Sequence, residues 1–132
     1  MNEVYAKFET AKLLKEKGFD WEVRAYYQYD SEFKQWDFEL DDREDSPSLW
    51  GDYYVSAPTQ QMAMRWLREE KGIHICTVPD LSSNKFYVSI AINVNGKWRL
   101  HANFPAPLLY EKYIKCEDAI EVALEYALTK LI

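Results

Sequence analysis

The sequence predicts an α+β domain: a five-stranded, mostly antiparallel sheet with three helices packed on one face. Three segments carry apolar residues at helical spacing, and five others alternate apolar with polar residues. The chain has 132 residues, enough to bury a core without metals or disulfides. Because one-sided strands and amphipathic helices are typical of a two-layer domain, we expect a single domain over residues 1–132 in the order α-β-β-α-β-β-β-α.

The first two helices are predicted to end at glycine. Gly18 and Gly72 each follow a lysine and precede an apolar residue, Phe19 or Ile73, as in a Schellman cap. This similarity between the two helix ends is too short to indicate a repeat. The predicted helices are residues 9–17, 59–71 and 117–131.

The alternating segments predict two hairpins and one further strand. The strands are residues 21–29, 35–40, 73–78, 85–94 and 97–104. Residues 41–58 lack this alternation, so we predict a long loop there, acidic at first and aromatic later.

The turn between the last two strands can be predicted from the faces of its neighbours. A two-residue loop at Asn95 and Gly96 would place the apolar residues of the two strands on opposite faces. A three-residue loop over residues 94–96 pairs Ile92 with Trp98 and keeps both sets on one face, with Gly96 in a G1 bulge. We therefore predict the three-residue loop.

Charge and hydropathy argue against several classes of partner. The net charge is −6, and the 16 Lys and Arg residues are scattered among acids, which disfavours nucleic acid and anionic membrane surfaces. No apolar run approaches the roughly 20 residues of a membrane helix, and the N-terminus has no signal-peptide pattern. Two cysteines are too few for a disulfide scaffold, so we expect a reduced, cytoplasmic protein.

Aromatic residues make up 16% of the chain, more than a core of this size can hide. Exposed Tyr and Trp favour recognition, because they offer large contact areas at low entropic cost. We expect ligand or partner binding by the sheet face away from the helices and by the loop over residues 49–54. The candidate residues are Arg24, Tyr26, Tyr87, Arg99 and His101 on the sheet, with Trp50, Tyr53 and Tyr54 in the loop. The alternative interpretation is an ordinary solvated sheet face.

Motifs for metals and catalysis are weak or missing. Acids fill six of the nine positions from 37 to 45, but the run lacks the glycine and final glutamate of an EF-hand, and a solvated acidic run is the commoner case. His74 and Cys76 share a strand face, yet with His101 and Cys116 they match no zinc pattern. Nucleophile elbows, phosphate loops and dinucleotide motifs are missing from the sequence. We predict no metal, cofactor or catalytic residue, although an enzyme without a recognised motif stays open.

The most distinctive segment is residues 56–69, Ser-Ala-Pro-Thr-Gln-Gln-Met-Ala-Met-Arg-Trp-Leu-Arg-Glu, followed by Gly-Ile-His-Ile at 72–75. With residues 14–20 and the terminal helix, it resembles a family of small uncharacterised proteins encoded by tailed phages and prophages of gut-type bacteria. The hairpin and long strands show little of this resemblance, and Lys115 stands where the family pattern suggests a Ser-type cap. The resemblance implies a non-virion protein of a bacterial cytoplasm, but no activity or site residues.

These observations favour a non-enzymatic, phage-type accessory protein that binds a host protein through the aromatic sheet face and the 49–54 loop. One alternative is a small-molecule binder that sequesters a nucleotide-like or phosphorylated ligand, held by Arg24, Arg99 and the tyrosines. Another is a small hydrolase with an unrecognised site. A homo-oligomer also stays open, because a dimer could cover the polar sheet face.

Overall fold

A computed structural model describes residues 3–101 and 115–132, the side chain of Asp42 excepted. Within these residues the fold is α+β, with three α-helices and two antiparallel sheets of three strands each. The predicted class and the antiparallel pairing are confirmed, but two sheets replace the predicted sheet of five strands. The chain forms two compact units, Met1–Gln61 and Met62–Ile132. The prediction of one domain stays a prediction.

The first unit consists of a helix and a three-stranded sheet. Its elements are α1 (Phe8–Glu16), β1 (Val23–Asp30), β2 (Gln35–Asp45), a 3-10 turn (Pro47–Leu49) and β3 (Tyr54–Ser56). The strand order in the sheet is β2-β1-β3. The inner sheet face buries Val23 and Ala25, and α1 packs near β3 with Leu14 fully buried. The hydroxyl of Tyr27 donates to the carbonyl of Ala6 over 2.8 Å and joins the N-terminal segment to this face.

The predicted loop over residues 41–58 is wrong in two places. Its acidic part continues β2 to Asp45, past an irregularity at which Ala25 pairs with Leu40 but Val23 pairs with Asp45. Its later part supplies β3, which pairs with the free edge of β1. Residues 54–56 show no alternation of apolar and polar residues, so the sequence does not mark them as a strand. Pairing with the edge of β1 supplies hydrogen-bond partners for their backbone groups. This third strand completes a separate sheet in the first unit.

The second unit contains a three-stranded sheet and two helices. Its elements are α2 (Gln60–Lys71), β4 (Ile73–Asp80), β5 (Lys85–Val94), β6 (Lys97–Leu100) and α3 (Cys116–Tyr126), continued by a π-helical turn (Ala127–Leu131). The first two residues of α2 belong to the first unit. The strand order in the sheet is β4-β5-β6. α3 packs against β4 and β5. The buried core there includes Val88, Ile90, Leu124 and Leu128.

The predicted three-residue turn between β5 and β6 is wrong. Val94 pairs with Lys97 across a two-residue turn, and Asn95 and Gly96 both have positive φ, 53° and 83°, as a type I′ turn requires. Trp98 therefore pairs with Asn93 instead of Ile92. The prediction assumed that every apolar residue of β6 would be buried, whereas the turn geometry sets the register. The predicted continuation of this strand to residue 104 lies outside the described residues.

The two units repeat one local plan. In each, a helix ends before glycine, an eight-residue strand ends at aspartate, and a four-residue turn leads to the next strand. The last turn residue has positive φ in both, 52° at Lys34 and 55° at Asn84. The registers also correspond, since Asp30 pairs with Gln35 and Asp80 with Lys85. The similar helix ends thus belong to a larger shared helix–hairpin module, although the third strand joins β1 in one unit and β5 in the other.

Candidate binding surface

Three predicted site residues form a compact ring cluster on the outer sheet face of the first unit. The ring centroids of Tyr26 and Trp50 are 5.4 Å apart, those of Trp50 and Tyr54 5.3 Å, and those of Tyr26 and Tyr54 6.2 Å. All three side chains are half-buried. We call Tyr26, Trp50 and Tyr54 the three-ring cluster. Its contacts have the edge-to-face and tilted geometries that aromatic quadrupoles favour.

Two arginines lie on strands of this sheet, Arg43 over the cluster and Arg24 two residues before Tyr26, and both are paired with carboxylates. The guanidinium of Arg43 lies 5.9 Å above the Trp50 ring and 3.0 Å from Asp41, and Arg24 lies 3.3 Å from Glu44. The hydrogen bond from Arg43 holds the pKa of the Asp41 carboxyl below its ordinary value and raises the pKa of Arg43 itself. These exposed pairs orient side chains but contribute little to stability.

The loop over residues 46–56, hereafter the 46–56 loop, is closed by a reciprocal pair of buried serines. The backbone N–H of Ser48 donates to the Ser56 hydroxyl over 2.9 Å, and the backbone N–H of Ser56 donates to the Ser48 hydroxyl over 2.8 Å. Pro47 occupies the first turn of the 3-10 segment, where no backbone donor is needed. Both ends of the loop are therefore joined to each other.

The tip of the 46–56 loop is attached to α1 by a lysine. The ammonium of Lys15 donates to the carbonyl of Gly51 over 2.7 Å and to that of Tyr54 over 2.8 Å. A hydrogen bond with a charged donor is stronger than a neutral one. The backbone N–H of Tyr29 also donates to the carbonyl of Tyr53 over 2.9 Å. The loop is thus held by the serine pair, by α1 and by β1.

This fixed loop presents two large apolar side chains to solvent. Leu49 is 72% exposed and Tyr53 is 64% exposed. The Tyr53 ring stacks on Tyr29 with centroids 5.8 Å apart and planes at 21°, so its orientation is defined as well. Exposed apolar side chains on a loop held by these hydrogen bonds favour recognition, and Tyr53 together with the neighbouring Trp50 and Tyr54 has the aromatic composition of interface hot spots.

The predicted site residues of the second unit do not share one face. Tyr87 lies on the outer face of β5, whereas Arg99 pairs with Ile92 on the face that α3 covers. His101 Nε2 lies 3.0 Å from the hydroxyl of Tyr126, the last residue of α3. The expected common surface of Tyr87, Arg99 and His101 is therefore wrong, because the two-residue turn shifts β6 by one residue.

The same register places two residues on the outer face that the sequence analysis assigned to the core. Trp98 is 47% exposed and Leu100 73% exposed, and the Trp98 ring lies 6.0 Å from that of His74. The Asn-Gly pair between alternating strands was the available signal, since it is the strongest short-range sign of a two-residue hairpin. We assign no role to this face.

The two cysteines considered for zinc are both free thiols. Cys76 is exposed, and the Cys116 sulfur lies 3.3 Å from the Thr77 hydroxyl. Across residues 3–101 and 115–132, no group of three or more His, Cys, Asp or Glu side chains could hold a metal ion. In that same part of the chain, no helix is both long and apolar enough to cross a bilayer.

Comparison of the chain with protein-family models, with curated proteins and with solved structures finds no match in any of the three.

Proposed function

We propose that this protein is a non-enzymatic, phage-type accessory protein that binds a host protein in a bacterial cytoplasm. The binding surface consists of the 46–56 loop, including the predicted 49–54 segment, and the adjoining three-ring cluster. The observation that carries the proposal is the exposure of Leu49 and Tyr53 on a loop held at three places. The phage origin and the host partner rest on the sequence resemblance alone.

The fixed loop favours protein binding for an entropic reason. Association loses roughly 0.5–1.5 kcal/mol for each flexible side chain that it immobilises. Tyr53 already stacks on Tyr29, and Trp50 already contacts Tyr26 and Tyr54, so these rings lose little further freedom. A partner therefore retains more of the free energy gained by burying them.

The charges around the surface favour a protein partner over a phosphorylated ligand. Both arginines near the three-ring cluster already face carboxylates, Arg24 with Glu44 and Arg43 with Asp41. A phosphate would compete with those carboxylates and be repelled by them. Polar and charged residues around an aromatic centre match the rim of a protein interface. The small-molecule alternative would regain support if native mass spectrometry of the purified protein showed a reproducible bound mass.

The test is affinity capture from a lysate of a gut-type bacterial host with a matched pair of double variants. Leu49→Ser with Tyr53→Ser removes both exposed loop side chains. Phe33→Ser with Leu81→Ser removes side chains that are 69% and 92% exposed on the two hairpin turns. The proposal expects one host protein in stoichiometric amount with the wild type and the turn variant, and its loss with the loop variant.

Thermal melts of both variants check that each is folded. Equal capture by the loop variant and the turn variant would overturn the assignment of the surface. Failure to retain any stoichiometric protein from a range of hosts would overturn the proposed function itself.

A further inference from the structure

A cleft of about 370 Å³ opens in the first unit next to the 46–56 loop. Its volume falls near the lower end of the roughly 300–1,000 Å³ of ligand pockets. α1 supplies one wall, and residues of the loop supply the other. Val55, 3% exposed, and the half-buried rings of Phe8 and Trp36 line its apolar part.

The aromatic rings that line the cleft contact each other and their neighbours. The Phe8 and Trp36 rings stack with centroids 4.9 Å apart and planes at 29°, and Phe8 also contacts Tyr27 edge-on at 5.4 Å. Trp36 contacts Tyr29, and the Tyr29 ring stacks on the ring of the exposed Tyr53. One continuous path of rings therefore connects the cleft with the proposed binding surface.

The charged side chains of the cleft balance each other. Lys12, Lys15 and Glu16 come from α1, and Asp52 comes from the loop, so two cations face two carboxylates. Lys15 already donates to two loop carbonyls. A net charge of either sign in the occupant would gain one attraction and meet one repulsion. An uncharged occupant fits this balance better than a phosphate or a free cation.

We propose that the cleft receives one aromatic side chain of the bound partner and acts as the anchor pocket of the interface. This inference rests on the proposed function and names the chemistry of the partner. An aromatic ring matches the lining, because edge-to-face contacts with Phe8 and Trp36 add to the burial of apolar area. Lys12 at the rim can lie over the incoming ring and contribute a cation–π contact. Continuity with Tyr53 places this anchor next to the other exposed apolar contacts.

The test uses N-acetyl-L-tryptophanamide, an uncharged mimic of an aromatic residue within a chain. The probe is titrated into the ¹⁵N-labelled full chain, and the indole N–H resonance of Trp36, assigned with Trp36→Phe, is followed. Two variants place a phenylalanine on α1: Lys12→Phe fills the cleft, and Glu9→Phe adds the same ring at an exposed position outside it. The proposal expects a saturable Trp36 shift in the wild type and Glu9→Phe, and its loss in Lys12→Phe.

An unmoved Trp36 resonance, or an equal shift in Lys12→Phe, would overturn the anchor pocket. N-acetyl-L-tryptophan, with a free carboxylate, should bind no better than the amide, and clearly tighter binding would show an anion site instead. The capture experiment separates this inference from the proposed function. If Lys12→Phe retains the host protein while the Leu49→Ser, Tyr53→Ser variant loses it, the anchor pocket fails and the interface stands. If both lose it, Glu9→Phe retains it and the Trp36 shift is lost in Lys12→Phe, both proposals are supported.

Discussion

Ser48 and Ser56 give the sharpest test of how the 46–56 loop is held. Each hydroxyl accepts the backbone N–H of the other residue, over 2.9 and 2.8 Å, and the two residues are only 8% and 1% exposed. Ser48→Ala removes the acceptor of the Ser56 N–H, and Ser56→Ala removes the acceptor of the Ser48 N–H. Each change removes one side-chain oxygen atom and leaves the backbone unaltered.

The expected magnitude follows from what each substitution leaves behind. A typical intramolecular hydrogen bond contributes about 1 kcal/mol net, but a buried donor left without an acceptor costs about 1–3 kcal/mol. Water cannot easily replace the hydroxyl, because both serines lie below the surface. We expect either variant to lower the free energy of unfolding by about 1–3 kcal/mol. The double variant should depart from the sum of the two losses, because the two serines contact each other and share one hydrogen-bonded pair.

The assay is urea unfolding, followed by tryptophan fluorescence and, for the loop itself, by amide hydrogen exchange at residues 48 and 56. The control is Ser83→Ala, which removes a 2.6 Å hydrogen bond to Asp80 on an exposed turn and should change stability by less than about 0.5 kcal/mol. If Ser48→Ala and Ser83→Ala unfold at the same urea concentration, and exchange at residue 56 is unchanged, the argument that buried serines hold the loop is refuted.

Three further predictions concern the same surface and the hairpin that differs from expectation. Lys15→Met should weaken the attachment of the loop tip by about 1.5–3 kcal/mol, the range for hydrogen bonds to charged groups. Amide hydrogen exchange at residues 51–54 measures this, and it should become faster in Lys15→Met but not in the control Lys12→Met. Gly96→Ala should lower unfolding free energy by about 1–2 kcal/mol in urea, because φ of 83° strains any residue with a Cβ although the space beside it is open. Arg43→Gln should raise the pKa of Asp41 toward its ordinary value, as carboxyl NMR would show. Since Asp41 has a lowered pKa in the folded state, its small stabilising contribution is full above the ordinary pKa and is lost as pH falls through the folded value. An Asp41 pKa that Arg43→Gln leaves unchanged would contradict this.

Local patterns in the sequence were sufficient for the helices and for most of the hairpins. Gly18 and Gly72 end their helices with positive φ, 95° and 67°, as the capping pattern predicts. β5 has the predicted bounds, Lys85–Val94, and β1 differs from the prediction by only two residues at its start and one at its end. Such features depend on periodicity and caps within a few residues, which is why a single sequence reveals them.

The candidate site was predictable as a set of residues but not as an arrangement. Tyr26, Trp50 and Tyr54 were chosen for their chemistry, and the fold brings their rings together. The grouping of Arg99 and His101 with Tyr87 failed, because one residue of register moves a whole strand to the other face. The cleft beside α1 left no signal in the sequence, since its lining comes from three separate segments, α1, β2 and the 46–56 loop.

The sequence by itself determined the α+β class, the helices, the first hairpin and the aromatic residues available for recognition. Only the tertiary structure decided that the strands form two sheets, that β3 arises from the predicted loop, and that Lys15 and the Ser48–Ser56 pair hold that loop in place. The physical reason is the range of the interactions involved. Helix caps and strand alternation act between near neighbours, whereas edge pairing and the Lys15 contacts join residues 20 to 40 positions apart, whose meeting no local pattern records.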